Sequence, residues 1–297
     1  MTIPVSVLVL TKNEQSDLPD CLKSVAWSDD IHVLDSFSDD DTVAIAQSFG
    51  AKMAYRKFDY FSAHQNWALE NIPFQHRWVF YIDADERVTP ELAAAVRQVV
   101  SDPGEQVAFR IQRRDFFMGR WLKHVQASPF YMRLFLADKM RYERMGHPLS
   151  VPGGSVGQIG GYLDHFPFSK GMAHWIIRHD KYSTEEAQQI INNRRNNVPF
   201  SLYRAFTEQD FHQKRFHQKE LFYRLPSRPL VKFFLLYVLK RGFLDGPAGL
   251  TYATLQSIYE YMIVLKTREL EQKMMDQKMR NAEVDTDYQA NHNEIAY

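Results

Sequence analysis

Over the first hundred residues, short and nearly continuous apolar runs alternate with stretches of helical periodicity. The runs at 5–10 (VSVLVL), 31–34, 51–54 and 78–82 predict strands, and the amphipathic segments 17–27, 39–49 and 62–71 predict the helices between them. Strands that are apolar on both faces must be covered on both faces. The pattern therefore predicts an α/β domain around a mostly parallel sheet. A further helix starts after Thr89, with Pro90 in its first turn and Glu91 behind it, as capping chemistry favours.

In such sheets ligands sit outside the carboxyl ends of the strands. Three of the predicted strands end in polar residues: Thr11-Lys12-Asn13-Glu14 after the first, Asp35-Ser36-Phe37-Ser38-Asp39 after the second, and Asp83-Ala84-Asp85 after the fourth. Alternation along the fourth strand predicts that Asp83 and Asp85 leave it on one side. Paired carboxylates at a buried strand end repel unless a cation or donors offset them, and oxygen ligands of this kind suit Mg2+ or Mn2+ together with a phosphate. No G-x-G-x-x-G and no G-x-x-x-x-G-K-[ST] occurs, so neither the usual dinucleotide fingerprint nor a P-loop is present.

The segments 5–14 (VSVLVLTKNE) and 33–42 (VLDSFSDDDT), the run Asn66-Trp67-Ala68-Leu69, and 81–88 (YIDADERV) together resemble family 2 inverting glycosyltransferases with the GT-A fold. Within that family the chain looks closest to bacterial β-glucosyltransferases of lipopolysaccharide core or exopolysaccharide synthesis. The resemblance implies a hexosyltransferase that moves a sugar from a nucleotide-diphosphate donor, UDP on family grounds, to a bacterial surface glycan or lipid-linked acceptor. Transfer would be a single inverting displacement assisted by Mg2+ or Mn2+. Carried onto this chain, the resemblance puts Thr11, Asn13, Glu14, Asp35 and Asn66 around the nucleotide, with Asp35 on the base. Asp83 would lie near ribose and diphosphate, Asp85 would ligate the metal, and His165 would be a further ligand.

The base is where the pattern departs. The subgroup usually shows a His-Glu pair past the aspartates, and this chain has Gly146-His147-Pro148. His147 is a candidate base, since imidazole titrates near neutrality, and Glu143 and Asp164 are alternatives. Trp121 is a candidate acceptor contact through stacking on a sugar ring, and Lys170 could meet diphosphate or acceptor. Two other readings stay open: a scaffold of the same fold that has lost catalysis, which Pro148 suggests, and a nucleotidyltransferase, which would carry a glycine- and basic-rich signature after the first strand.

Composition sharpens the organisation. A single cysteine among 297 residues, Cys21, excludes a disulfide framework and fits a reducing compartment. Formal net charge is zero, so no global field argues for nucleic acid. The charge is unevenly spread, however. Nine basic residues against three acidic ones fall in 204–241, interleaved with the apolar run 230–239. That run is too short to span a bilayer and suits its interface, where basic and aromatic flanks favour an anionic surface. The expected organisation is a catalytic domain over 1–200, a basic amphipathic helical extension over 201–270 and a polar, fraying tail over 271–297. The expected location is cytoplasmic, peripheral on the inner membrane.

Overall fold

The computed structural model describes residues 2–143, 148–209, 211–225 and 227–293. The chain forms two compact units, Met1–Gly171 and Met172–Tyr297. The helical unit thus begins well before residue 201.

In the first unit the chain runs β1 (Val5–Thr11), α1 (Leu18–Ser24), β2 (Asp30–Asp35), α2 (Thr42–Ser48), β3 (Lys52–Tyr55), α3 (Phe61–Asn71) and β4 (Trp78–Asp83). The predicted elements are all there, with ends shifted by a few residues. There follow β5 (Glu86–Val88), α4 (Pro90–Ser101), β6 (Gln106–Phe117), β7 (Arg120–Trp121), β8 (Phe130–Leu136), β9 (Met140–Glu143), β10 (Leu149–Pro152) and β11 (Ser155–His165). The sheet order is β3-β2-β1-β4-β8-β6-β11-β5, with β7 on the side of β6 and β9-β10 a separate hairpin. Strands β3, β2, β1 and β4 are parallel, β8 enters antiparallel between β4 and β6, and β11 runs parallel to β6.

Val5, Val7 and Val9 pack with Phe80 and Ile82 on one face of the sheet, while Leu8, Val79 and Tyr81 pack on the other. Burial on both faces explains why these strands read as unbroken apolar runs. Cys21 is buried in the first of these layers, where burial raises its thiol pKa and keeps it inert. The predicted cap of α4 is present, Thr89 Oγ1 accepting from Leu92 N at 3.2 Å.

One glycine decides a register. The pairing of β11 with β6 shifts between Ile159 and Tyr162, and Gly161 sits there at φ +87°. A Cβ on Gly161 would lie 2.8 Å from the Leu92 backbone, so no other residue fits between β11 and α4. The irregularity sets the phase in which β11 arrives at His165.

The second unit contains α5 (Gly171–Arg195), α6 (Leu202–Thr207), α7 (Phe211–Arg224), α8 (Arg228–Phe234), a π turn over Leu235–Leu239 and the 48-residue α9 (Gly246–Asn293). Ile190, Tyr223 and Ile263 form its small apolar centre. Gly249 lets α9 start against the Gly242 carbonyl, with which any Cβ would collide. The stretch expected to fray continues as helix to Asn293. Among the described residues no helix is long and apolar enough to cross a membrane.

Candidate active site

At the carboxyl end of β1, Thr11 Oγ1 donates to Asp35 Oδ1 at 2.8 Å, tying the ends of β1 and β2 together. The Asp35 carboxylate is fully buried and also accepts from Ser38 N at 2.7 Å and Ser38 Oγ at 2.6 Å. Asn13 adopts the left-handed conformation at φ 57°, and its Oδ1 accepts from Asp39 N at 3.0 Å. Asp35 and Asn13 thus shape the two loops that border this edge. Asn66 acts at a distance from them, its amide exchanging two bonds with the Tyr142 backbone, which pins the β9-β10 hairpin to α3.

Glu14 is largely enclosed, and burial raises its pKa to about 7 even though Lys170 Nζ donates to its Oε1 at 2.6 Å. The same ammonium donates to Asn13 O at 2.8 Å. Lys170 therefore holds a cation against the loop that follows β1.

The paired aspartates part company. Strand β4 ends at Asp83, and Ala84-Asp85 form a turn before β5, so strand alternation stops one residue too early to align them. Strand geometry therefore does not extend to Asp85, and the two aspartates take different partners. Asp83 Oδ1 accepts from the Tyr81 hydroxyl at 2.5 Å and its Oδ2 from Arg133 at 2.7 Å. Arg133 is itself buried, spans to Glu86 Oε1 at 2.6 Å, and lies 4.6 Å from the centre of the Tyr81 ring. Burial raises the pKa of the wholly enclosed Glu86, with Arg133 opposing. Asp83, Arg133 and Tyr142 line a cavity of about 360 Å3, together with Arg113 and Pro148.

Asp85 faces another partner. His165 Nε2, at the carboxyl end of β11, lies 3.2 Å from Asp85 Oδ2, and His165 Nδ1 lies 2.6 Å from Oδ1 of the buried Asp115. Burial would lower the imidazole pKa, but the hydrogen bonds to Asp115 and Asp85 outweigh it and raise it to about 9. Asp115 is held in turn by Arg113 Nε at 3.0 Å and by the Gln126 amide.

These residues fit a divalent cation. A carboxylate and an imidazole nitrogen converge, a cation there would displace the Nε2 proton that now joins His165 to Asp85, and the second imidazole nitrogen is oriented by a buried carboxylate, the outer-shell arrangement that metal-binding histidines use. Among the described residues no group of three or more His, Cys, Asp or Glu gathers as a closed site. Two protein ligands with the remaining positions left to water and phosphate oxygens is the pattern Mg2+ and Mn2+ favour.

Both oxygens of Asp164 are engaged by the Arg114 fork, at 2.6 and 2.9 Å. Glu143 is exposed at the end of β9, and His147 lies outside the described residues. Trp121 sits in β7, its Nε1 donating to Ser128 Oγ at 3.2 Å and its ring 5.5 Å from that of Tyr162. Arg133, Glu86 and Asp115 were not expected from sequence. The one local signal was an arginine inside the apolar run of β8, FYMRLFL, where a charge demands a buried partner.

The model for "Glycosyl transferase family 2" matches residues 6–159 of this chain. Lipopolysaccharide core biosynthesis glycosyltransferase LpsC of Rhizobium meliloti is 26% identical over 274 residues, covering 89% of this chain and 92% of LpsC. An uncharacterized glycosyltransferase of Rickettsia typhi is 24% identical over 218 residues, 69% of this chain and 73% of that protein. Among solved structures, glucosyl-3-phosphoglycerate synthase from Mycobacterium tuberculosis, in complex with Mn2+, UDP-glucose and phosphoglyceric acid, aligns at 19% identity with a TM-score of 0.33. That alignment covers 38% of this chain and 44% of the synthase.

Proposed function

The chain belongs to glycosyl transferase family 2, and from that premise we propose that it transfers a hexose from a UDP-sugar to a bacterial surface glycan, of lipopolysaccharide core type, with inversion at the anomeric carbon. The similarity to LpsC over most of both chains supports the acceptor class. The observation that carries the reading is the meeting of Asp85 and His165 at 3.2 Å, on the carboxyl edge of the sheet that also bears Thr11, Asn13 and Glu14.

In this reading Asp85 and His165 hold Mg2+ or Mn2+, and Asp115 keeps the imidazole turned toward it. A cation held there would supply Lewis acidity toward the negative charge of a leaving diphosphate. Lys170, already hydrogen-bonded to Glu14, adds a second positive charge at the same edge. Asp83, held by Tyr81 and Arg133, takes the ribose and sugar hydroxyls at the mouth of its cavity. Proton acceptance from the attacking hydroxyl is proposed for His147 on side-chain chemistry alone. An anionic membrane surface is the proposed partner of the helical unit, supported by exposed Leu230, Phe234 and Leu239 alongside exposed Lys240 and Arg241.

The test is metal-dependent turnover of UDP-sugars. The parent should hydrolyse or transfer one of them with Mn2+ and stop with a chelator. Asp85→Ala should lose turnover while remaining folded, and full metal-dependent activity in that variant would overturn the assignment. A nucleotide-sugar screen by thermal shift identifies the donor, because a ligand that binds only the folded state raises Tm.

A further inference from the structure

The helical unit holds a cavity of about 540 Å3 between the end of α5, the start of α8 and the middle of α9. Arg194, Arg228 and Arg268 line it, with Glu271, Tyr261 and Leu230. Arg228 is 5% exposed, lies 5.2 Å from the Tyr223 ring centre, and has its Nε 3.2 Å from Glu260 Oε1. Arg194 pairs with Glu271. Among the described residues Arg268 has no carboxylate partner. Three guanidinium groups therefore stand against two carboxylates, leaving one positive charge uncompensated at a concave, partly apolar place.

One edge of the cavity is apolar. Leu230 is 71% exposed, and Phe234 and Val238 follow it at intervals of four residues, with Leu235 and Leu239 beside them. Successive turns of α8 and the π turn thus continue a single apolar track away from the rim. Lys240 and Arg241, both exposed, stand at its far end. A charged hollow that opens onto an apolar track matches an amphiphile. Guanidinium forks match phosphate oxygens, and Arg gives the two-point geometry that Lys does not.

We propose that this cavity binds the phosphate headgroup of a membrane lipid, with the acyl chains following the apolar track. The inference rests on the membrane contact proposed above and narrows it to one site. It does not depend on the catalytic edge. The continuity of Leu230 with the track selects a lipid over a free phosphate ester.

The test is flotation of the full chain with three kinds of vesicle: phosphatidylcholine alone, phosphatidylcholine with phosphatidic acid, and phosphatidylcholine with oleate at the same surface charge. The parent should prefer the phosphatidic acid vesicles. Arg194→Gln together with Arg268→Gln should lower that partitioning by about 25-fold, roughly fivefold for each guanidinium, and abolish the preference over oleate. Both side chains lie at the surface, so the variant should keep its helical spectrum and melting transition. Unchanged partitioning, or an equal loss on both anionic vesicles, would mean general charge attraction and overturn the site. Displacement by soluble glycerol 3-phosphate would overturn the lipid assignment. A parent that floats with no vesicle overturns the membrane contact and the site together, whereas Leu239→Asp lowering flotation on every composition supports the track.

Discussion

Arg133→Met removes the positive charge that Glu86 and Asp83 share. Arg133 is buried and Glu86 is entirely so, and the cations left to Glu86 without Arg133 are His165 and, at 3.7 Å, Arg113. Breaking a buried pair by deleting one partner costs about 3–5 kcal/mol, because the survivor stays charged without its counter-ion. For a unit of this size that corresponds to a fall in Tm of about 6–20 °C. The sign of the pH dependence follows from Glu86. Its folded-state pKa is already raised by burial, so its contribution is most favourable at low pH, where it is protonated, and falls as pH rises. The variant should therefore lose more at pH 8 than at pH 5. Urea unfolding at the two pH values, followed by tryptophan fluorescence, measures both quantities. A loss under about 1 kcal/mol, or one equal at both pH values, would mean that Glu86 does not depend on Arg133 for its counter-charge. The double variant Arg133→Met/Glu86→Leu should recover most of the stability, since no unpaired charge remains buried.

Three further outcomes are expected. Asp115→Asn should weaken Mn2+ binding by about 10–100-fold, measured by calorimetry, while Asp85 is untouched; unchanged affinity would remove Asp115 from the metal's outer shell. Glu14 holds its proton up to about 7 against an ordinary 4.5, so the protein should lose about 3 kcal/mol as pH rises from 4.5 to 7, and Glu14→Gln should flatten that slope in unfolding measurements at pH 5 and 8. Gly161→Ala should destabilise by at least about 1 kcal/mol and lower metal affinity as well, because the strain falls on the irregularity that delivers His165. A destabilised variant with parent metal affinity would separate that glycine from the site.

The parallel half of the sheet, the cap at Thr89 and the polar strand ends were legible in the sequence because each rests on short-range pattern. An apolar run, a capping residue and the carboxyl-edge rule need only neighbours a few residues away. Asp85 and His165 were individually legible for the same reason, each standing where a strand ends. Their meeting was implied only by the family resemblance, which made both of them ligands of one metal. His165 bonds Asp115 fifty positions earlier, and Arg133 bonds Asp83 fifty positions earlier, separations that no local periodicity encodes. Strand alternation also does not reach Asp85, which lies in a two-residue turn and takes a different partner from Asp83.

Residue type and spacing alone set the α/β order of the first unit, the polar carboxyl edge of its sheet and the basic, apolar character of the helical segment. Only the tertiary structure decided that Asp83 belongs to an arginine network and Asp85 to a histidine held by Asp115. It also decided that three arginines far apart in sequence share one hollow. The physical reason is the same throughout: a buried charge is stable only beside its partner, and sheet topology and helix packing determine which partner that is.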